Sequence, residues 1–282
     1  MIEANPTTHF QRYWETTIRP GTPFEVVQKW RDYVCSGIDR AGHIRRTLER
    51  YRPLLGARVL DLGCGYGGAA IAFRVAGAAV IGIDPNYVFL EGARVRAVND
   101  CGLTDIVFCR GVGEALPLAD GSVDFIICED VVEHVSTRPR LTAEMARVLA
   151  RNGFIYLSFP SRLSLTNMLR DPHYGLLGVS FLPRTLAEPY VVKVRKRAPE
   201  YTVTSLPVPS LLRRTIERNG LRVIAQEPVM RRSFGPVTRI VRAFRDNTLP
   251  LTHWVLVRAV TPAEFGLSSP SQGSYPSALD QS

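Results

Sequence analysis

The sequence lacks several features that would assign it to a specialised class of protein. Its five cysteines are odd in number and include no C-x-x-C pair, which argues against a disulfide framework or a zinc knuckle. No apolar run approaches the roughly 18 to 20 residues that span a bilayer. The first residues show neither the basic nor the apolar region of a secretory signal. These absences predict a cytoplasmic protein without a membrane span.

Lysine is almost absent, and this affects how the net charge of +9 is interpreted. The chain has 32 arginines and three lysines, and a positive charge of this size would ordinarily favour a nucleic acid or an anionic surface as partner. The arginines are spread along the chain, however, with local concentrations only at KVRKR (193–197), 213–214 and 231–245. A solvated basic face is therefore the preferred interpretation, and nucleic acid is disfavoured as a partner.

The composition is otherwise that of an ordinary globular protein, and its apolar patterns alternate. With 282 residues, 45% hydrophobic and 22% charged, the chain can bury one large core. Strand patterns occur at 57–62, 78–84, 105–111, 123–130 and 154–160, with helical patterns at 67–77, 86–102 and 137–153 between them. This alternation predicts an α/β fold with a Rossmann-like, mostly parallel seven-stranded sheet covered by helices on both faces.

The segments around this alternating region predict additional parts. Residues 1–55 are expected to form an N-terminal helical cap, with two helices over 24–52 broken near Gly37. Residues 161–206 are rich in proline, glycine and aromatics and fit neither period, which predicts an inserted lid over the acceptor. Residues 207–260 should complete the sheet, through a helix at 209–220, a strand at 221–227, a basic helical segment around 237–246 and a strand at 251–260. Residues 261–282 are expected to be a disordered tail.

A glycine-rich strand-to-helix turn, VLDLGCGYGG (59–68), predicts a ligand close to the backbone. No lysine follows these glycines, which excludes the phosphate loop, although Gly63, Gly65 and Gly68 formally match the dinucleotide spacing. Asp61 stands just before the turn, where a carboxylate would repel a pyrophosphate but would suit a ligand that carries an ammonium group.

This turn resembles motif I of the class I S-adenosylmethionine-dependent methyltransferases, [VL]-L-D-L-G-C-G-x-G, of the type 11 kind. Further segments are similar to later motifs of that family: VIGIDP, which ends a strand at Asp84, then GVGEALPLADGSVDFIICEDVVEHV and EMARVLARNGFIYLSFP. The resemblance implies that residues 56–160 form an α/β core that binds S-adenosylmethionine.

The resemblance also implies which residues bind this methyl donor. The matching positions are Asp61, Gly63, Cys64, Gly65, Gly67, Asp84, Val112, Gly113 and Glu129. Asp61 would hold the methionine ammonium, indirectly or through water, and Asp84 would accept hydrogen bonds from the ribose hydroxyls. The family often has an acid where this chain has Val112, so the adenine would rely on backbone around Val112 and Gly113, or on Glu114. For Asp61 and Asp84 the alternative is capping of a helix or strand.

The candidates for acceptor chemistry are His134, Glu133 and His173. Methyl transfer to an oxygen requires removal of its proton, and His134 is the natural base, unless it only orients the following helix. Asp130, Glu133 and His134 form D-x-x-E-H, similar to the E-x-x-E-H motif of metal-assisted O-methyltransferases such as those of ubiquinone biosynthesis. On a helix these three would share one face and could hold Mg²⁺, the alternative being an acidic helix start. His173, in DPHY (171–174), would belong to the acceptor pocket or to a turn.

The expected function is therefore methyl transfer from S-adenosylmethionine to an oxygen of a small molecule such as a sugar, a phenol or a secondary metabolite. Two alternatives stay open at this point: an RNA methyltransferase that uses the basic surface, and a non-catalytic protein that binds S-adenosylmethionine. The sequence leaves the acceptor, the metal requirement and the oligomeric state undetermined.

Overall fold

A computed structural model describes residues 8–18, 24–198, 200–228 and 251–258. Within these residues the strands are β1 Arg58–Leu62, β2 Ala79–Asp84, β3 Val107–Arg110, β4 Val123–Glu129, β5 Leu149–Pro160, β6 Leu221–Pro228 and β7 Leu251–Arg258. The α-helices are α1 His9–Thr17, α2 Phe24–Cys35, α3 Gly37–Glu49, α4 Gly68–Val75, α5 Tyr87–Val95, α6 Arg138–Val148, α7 Leu165–Leu169, α8 Arg184–Pro189 and α9 Pro209–Arg218.

The seven strands form one sheet in the order β3-β2-β1-β4-β5-β7-β6. The first five are parallel, and β7 runs antiparallel to both β5 and β6. The predicted Rossmann-like, mostly parallel sheet is thereby confirmed. The chain leaves β1 toward β2 on one side and returns to β4 on the other, so the order reverses between β1 and β4. Open α/β sheets bind ligands in the crevice at such a point, outside the carboxyl ends of the strands.

Helices cover both faces of the sheet, because successive side chains of each central strand point to opposite sides. In β1, Leu60 and Leu62 belong to the cluster beneath α6 and α9, whereas Val59 belongs to the cluster beneath α3, α4 and α5. Burial on both faces explains why these strands read as continuous apolar runs.

The N-terminal segment contains the two predicted helices, α2 and α3, which meet at Ser36. It also contains α1, which the sequence reading missed. This helix begins with a capping box between Thr8 and Gln11, and Asp100 accepts the backbone N–H groups of His9 and Phe10 at 2.9 and 3.0 Å. The T-x-x-Q spacing was the available signal for its start.

The sequence pattern predicts one boundary between a helix and a strand wrongly. The helical pattern over 137–153 ends at Val148, and β5 begins at Leu149. Leu149 pairs with Val123 of β4, and a Cβ on Gly153 would lie 2.8 Å from the backbone oxygen of Asp124. Strand pairing therefore decides the conformation of 149–152, which local helical propensity cannot anticipate.

Residues 161–206 contribute no strand to the sheet in the part that is described. They contain α7, α8, a 3-10 turn at Val179–Phe181 and a π-helical turn at Tyr190–Val194. These pack around their own apolar cluster of Leu176, Val179, Ala187, Val191, Tyr201, Val203 and Leu206. The basic segment at 237–246 and the tail at 261–282 lie outside the described residues. Across the described helices, none combines the length and the apolar character needed to cross a membrane.

Candidate active site

The loop between β1 and α4 lies where the strand order reverses. Gly63, Gly65 and Gly67 have φ angles of +73°, +50° and +72°, which favour glycine. Packing also disfavours a side chain at two of these glycines: a Cβ on Gly63 would lie 2.3 Å from Val131, and one on Gly67 would lie 3.0 Å from Ala93. A Cβ on Gly65 would meet nothing within 4 Å. The bare backbone at Gly65 therefore faces open space that a ligand can fill.

Asp84 closes β2 beside this loop. Its Oδ2 accepts the backbone N–H of Gly65 at 3.0 Å, and its Oδ1 accepts that of Asn86 at 2.8 Å. Burial raises the pKa of the carboxyl, and these two bonds only partly oppose the rise. Each oxygen keeps a second lone pair, so the carboxylate can still accept two hydroxyl donors.

Asp61 is buried beneath the loop, in β1. Its Oδ2 accepts the backbone N–H of Ala70 at 2.9 Å, so this carboxylate does help to fix the start of α4. Burial raises its pKa to about 7, with Glu129 and Asp84 adding to the rise. Cys64 belongs to the buried cluster under α4, so its backbone, not its thiol, is available to a ligand.

The N-terminal helices contact the acidic end of β4. The Tyr33 hydroxyl donates to Asp130 Oδ2 at 3.0 Å, and Arg40 Nε lies 3.9 Å from Glu129 Oε1. The Arg40 guanidinium also stacks 3.8 Å above the Tyr33 ring. Burial raises the pKa of Asp130, and the neighbouring carboxylates raise it further. Sequence reasoning did not single out Tyr33 or Arg40, because only the fold brings them to β4.

The shared helical face predicted for Asp130, Glu133 and His134 is wrong. Asp130 has a φ of +55°, residues 132–134 form a turn, and α6 begins only at Arg138. The structure instead groups Glu133 and His134 with His173, with one potential ligand atom from each lying within 4.8 Å of the others. His173 thus takes the place predicted for Asp130 in the cluster that could hold a cation.

Glu133 is fully buried, and neither carboxylate oxygen has a hydrogen-bond partner among the described residues. Its Oε1 lies 3.5 Å from His173 Nε2. Burial lowers the pKa of His173, but the nearby carboxylates of Glu133, Asp171 and Asp130, Glu133 above all, together outweigh this effect and the pKa is raised overall. An unpaired buried carboxylate is costly, so the pair stabilises a protonated His173.

His134 is oriented by residues 202–205, which lie against it. Its Nδ1 lies 3.0 Å from the backbone oxygen of Thr202, and the Thr204 hydroxyl donates to the backbone oxygen of His134 at 3.0 Å. Because a carbonyl only accepts, we assign the proton to Nδ1, which leaves Nε2 of the neutral ring with its lone pair. Thr202 was missed because a backbone carbonyl leaves no signal in the sequence.

The three positions considered for adenine differ in their surroundings. Val112 is half-exposed, whereas a Cβ on Gly113 would lie 2.6 Å from the end of the Leu141 side chain, so Gly113 is closely packed. Glu114 Oε1 accepts the backbone N–H and the hydroxyl of Ser136 at 2.8 and 3.0 Å. Glu114 therefore holds the turn before α6, which leaves the backbone at Val112 as the stronger candidate.

Comparison with known proteins connects this geometry to a family. Residues 60–157 match the family model described as methyltransferase domain. A methyltransferase of Mycobacteroides abscessus is 42% identical over 108 residues, which are 38% of this chain and 40% of that protein. One of Mycolicibacterium gilvum is 41% identical over 101 residues, or 36% of this chain and 38% of that protein. The matches thus span about two fifths of these relatives' length.

Solved structures share the fold. Magnesium protoporphyrin IX methyltransferase of Synechocystis PCC 6803, solved with bound SAH, superposes with a TM-score of 0.54 at 20% identity, covering 88% of this chain and 94% of that one. A chain from the complex of the Haloferax volcanii Trm112 methyltransferase activator with a methyltransferase gives 0.55 at 19% identity, covering 86% and 100%. Residues 60–157 are thus similar to a methyltransferase domain, and the described chain shares its fold with solved methyltransferases.

Proposed function

We propose that the protein is an S-adenosylmethionine-dependent methyltransferase that methylates a hydroxyl oxygen of a small molecule. The observation that carries this proposal is the open backbone cradle at Gly65, framed by the carboxylates of Asp61 and Asp84. A cradle with buried carboxylates, in a loop whose sequence contains no lysine, suits a ligand with cationic and hydroxyl groups better than a phosphate.

On the donor side, the chain's own residues bind and orient. The backbone of Gly65 would lie against the amino-acid tail, Asp84 would accept from two vicinal hydroxyls, and Asp61 would stabilise the ammonium through water. When bound, S-adenosylmethionine supplies an electrophilic methyl group on a sulfonium. Holding donor and acceptor in line is the main catalytic contribution expected of the protein for such a displacement.

On the acceptor side, His134 Nε2 is the proposed base that removes the hydroxyl proton. The Thr202 carbonyl holds the ring in the tautomer that this role requires. Glu133 and His173 form a buried ion pair beside it, with the two imidazoles edge to face and their ring centroids 5.2 Å apart. This pair would keep the ring of His134 in place.

A divalent cation is an alternative way to activate the hydroxyl. The cluster offers one carboxylate and two imidazoles, from Glu133, His134 and His173. Imidazole suits Fe²⁺, Ni²⁺ or Zn²⁺ better than Mg²⁺, which prefers oxygen ligands, so this donor set does not favour the expected Mg²⁺.

A screen for S-adenosylhomocysteine release tests the proposal. The full chain is incubated with S-adenosylmethionine and panels of sugars, phenols, amines or RNA, each with and without chelator and added Mg²⁺ or Mn²⁺. Turnover of a hydroxylated small molecule that chelator leaves intact and His134→Ala abolishes supports the base model. Loss with chelator and recovery with metal would select the cation instead. Turnover of amines or RNA alone would contradict O-methylation of a small molecule.

A further inference from the structure

The short helix α7 exposes its apolar face and buries its polar face, which is the reverse of the usual arrangement for a helix at a protein surface in water. Leu165, Met168 and Leu169 expose 62%, 37% and 60% of their surface, whereas Ser164 and Asn167 are buried. Residues at positions i, i+3 and i+4 share one helix face, so the apolar face of α7 points outward and the polar face inward. Something other than water is expected to cover that face.

The buried polar side fixes this orientation. Asn167 Nδ2 donates to the backbone oxygen of Ser161 at 2.9 Å, and the Ser180 hydroxyl donates to the backbone oxygen of Asn167 at 3.3 Å. Turning the helix to hide its leucines would leave these buried polar groups without their partners, at a cost of about 1 to 3 kcal/mol each. The outward leucines are therefore a fixed feature of the fold.

The exposed apolar surface continues onto the neighbouring 3-10 turn. The backbone N–H of Gly178 donates to the backbone oxygen of Met168 at 2.8 Å, which holds the turn against α7. We call the resulting surface the apolar patch, and it consists of Leu165, Met168, Leu169, Leu177, Phe181 and Leu182. A cluster of exposed apolar side chains on two neighbouring elements indicates an interaction site.

One residue of the apolar patch, Leu182, lines a small cavity with Arg162 and Tyr201, but the more exposed residues of the patch are not part of its lining. Leu165, Leu169 and Leu177 each expose 60% or more of their surface. Side chains that line a small-molecule site are shielded from solvent by the opposite wall of the site. Together the walls bury most of the ligand. The patch therefore fits an extended surface better than a small molecule.

The segment of the chain that carries the apolar patch is positively charged. Residues 161–198 contain seven arginines or lysines and two acids, a net charge of +5 out of the chain's +9. Of the two acids, Asp171 is buried and accepts the Ser180 hydroxyl at 2.7 Å, and Glu188 lies 3.3 Å from Arg184. Arg162 lies 5.7 Å above the Phe181 ring, at the edge of the patch.

We propose that the apolar patch docks the protein on the surface of a membrane that contains anionic lipids. The leucines and Phe181 enter the boundary between headgroups and acyl chains, and Arg162 and other basic residues of the same segment contact lipid phosphates. A second copy bound patch to patch would bring two net-positive segments together without neutralising them, which disfavours that occupant. The proposal goes beyond methyl transfer and does not depend on it.

Vesicle flotation of the full chain tests the proposal. One set of vesicles is phosphatidylcholine alone, and the other is equal parts of phosphatidylcholine and phosphatidylglycerol. The protein is expected to float with the anionic vesicles, less so as salt increases, and little with the neutral ones. The double variant Leu165→Gln, Leu169→Gln should lower this binding about tenfold or more, because each leucine loses its transfer into lipid.

Leu211→Gln is the matched control, since Leu211 is 57% exposed on α9, outside the patch. It should bind anionic vesicles like the wild type. Circular dichroism melts should show all variants folded, because the substituted leucines lie outside the core. Absence of binding to the anionic vesicles would overturn the proposal, as would undiminished binding of the folded double variant. A lipid-free dimer that the double variant loses would assign the patch to a second copy and likewise overturn it.

Discussion

The carboxylate of Asp84 accepts the backbone N–H of Gly65 at 3.0 Å, which ties the end of β2 to the loop that follows β1. Both residues lie at the carboxyl edge of the sheet, where the strand order reverses. Asp84, which is proposed to bind S-adenosylmethionine, therefore also shapes the backbone cradle at Gly65. Experiments on this site must separate loss of binding from loss of folding.

Alanine at Gly65 separates the two effects when it is compared with alanine at Gly56. The φ angles are +50° and +72°, and in both cases a Cβ would meet nothing within 4 Å. Each substitution should lower the free energy of unfolding by about 1 kcal/mol, since both place a side chain in the left-handed region. Gly65→Ala alone should weaken S-adenosylhomocysteine binding, by about tenfold or more, because its methyl group fills the cradle. Calorimetry and thermal melts measure both quantities. Equal affinities of the two variants would argue against the cradle.

The stability of the ligand-free protein should depend on pH through Asp61. Burial raises its pKa from 3.8 to about 7, so the folded protein holds a proton that the unfolded chain releases above about pH 4. This contribution to stability is complete below pH 4 and is lost as the pH rises to about 7. Melting temperatures of wild type and Asp61→Asn across this range isolate it. As the pH rises, the melting temperature of the wild type should fall relative to that of Asp61→Asn. A difference in melting temperature that does not change with pH would contradict the assignment.

His134→Gln tests the base. Glutamine can still donate a hydrogen bond toward Thr202 but cannot take a proton at neutral pH, so kcat should fall by about 10² to 10⁴. The affinity for S-adenosylhomocysteine should stay within about twofold of the wild-type value, since no contact with the methyl donor is assigned to His134. Once the screen has supplied an acceptor, steady-state kinetics measure kcat and calorimetry the affinity. A kcat close to that of the wild type would remove His134 from the chemistry.

The parts of the fold that could be predicted are those in which local pattern and tertiary context agree. β1 and β4 are apolar runs buried on both faces, and their order along the chain implied the parallel sheet. The D-x-x-E-H segment failed because its i, i+3, i+4 spacing indicated a helix. The positive φ of Asp130 and its contact with Tyr33 from α2 belong to the tertiary structure alone.

The residues of the candidate site likewise divide into those whose proximity could be predicted from the sequence and those whose proximity could not. Gly65 and Asp84 could be located because a loop and a strand end hold them at fixed distances along the chain. The group formed by Glu133, His134 and His173 depends on how residues 161–206 fold back onto the turn that follows β4, which no spacing in the sequence encodes.

Titration calorimetry of S-adenosylhomocysteine with the wild type and Asp84→Ala tests the central claim most directly. Binding of one ligand per chain is expected for the wild type, weakened about tenfold or more in the variant as its hydroxyl contacts are lost. Circular dichroism confirms that the variant is folded. Absence of binding by the wild type, or binding that a folded Asp84→Ala leaves unchanged, would contradict the account.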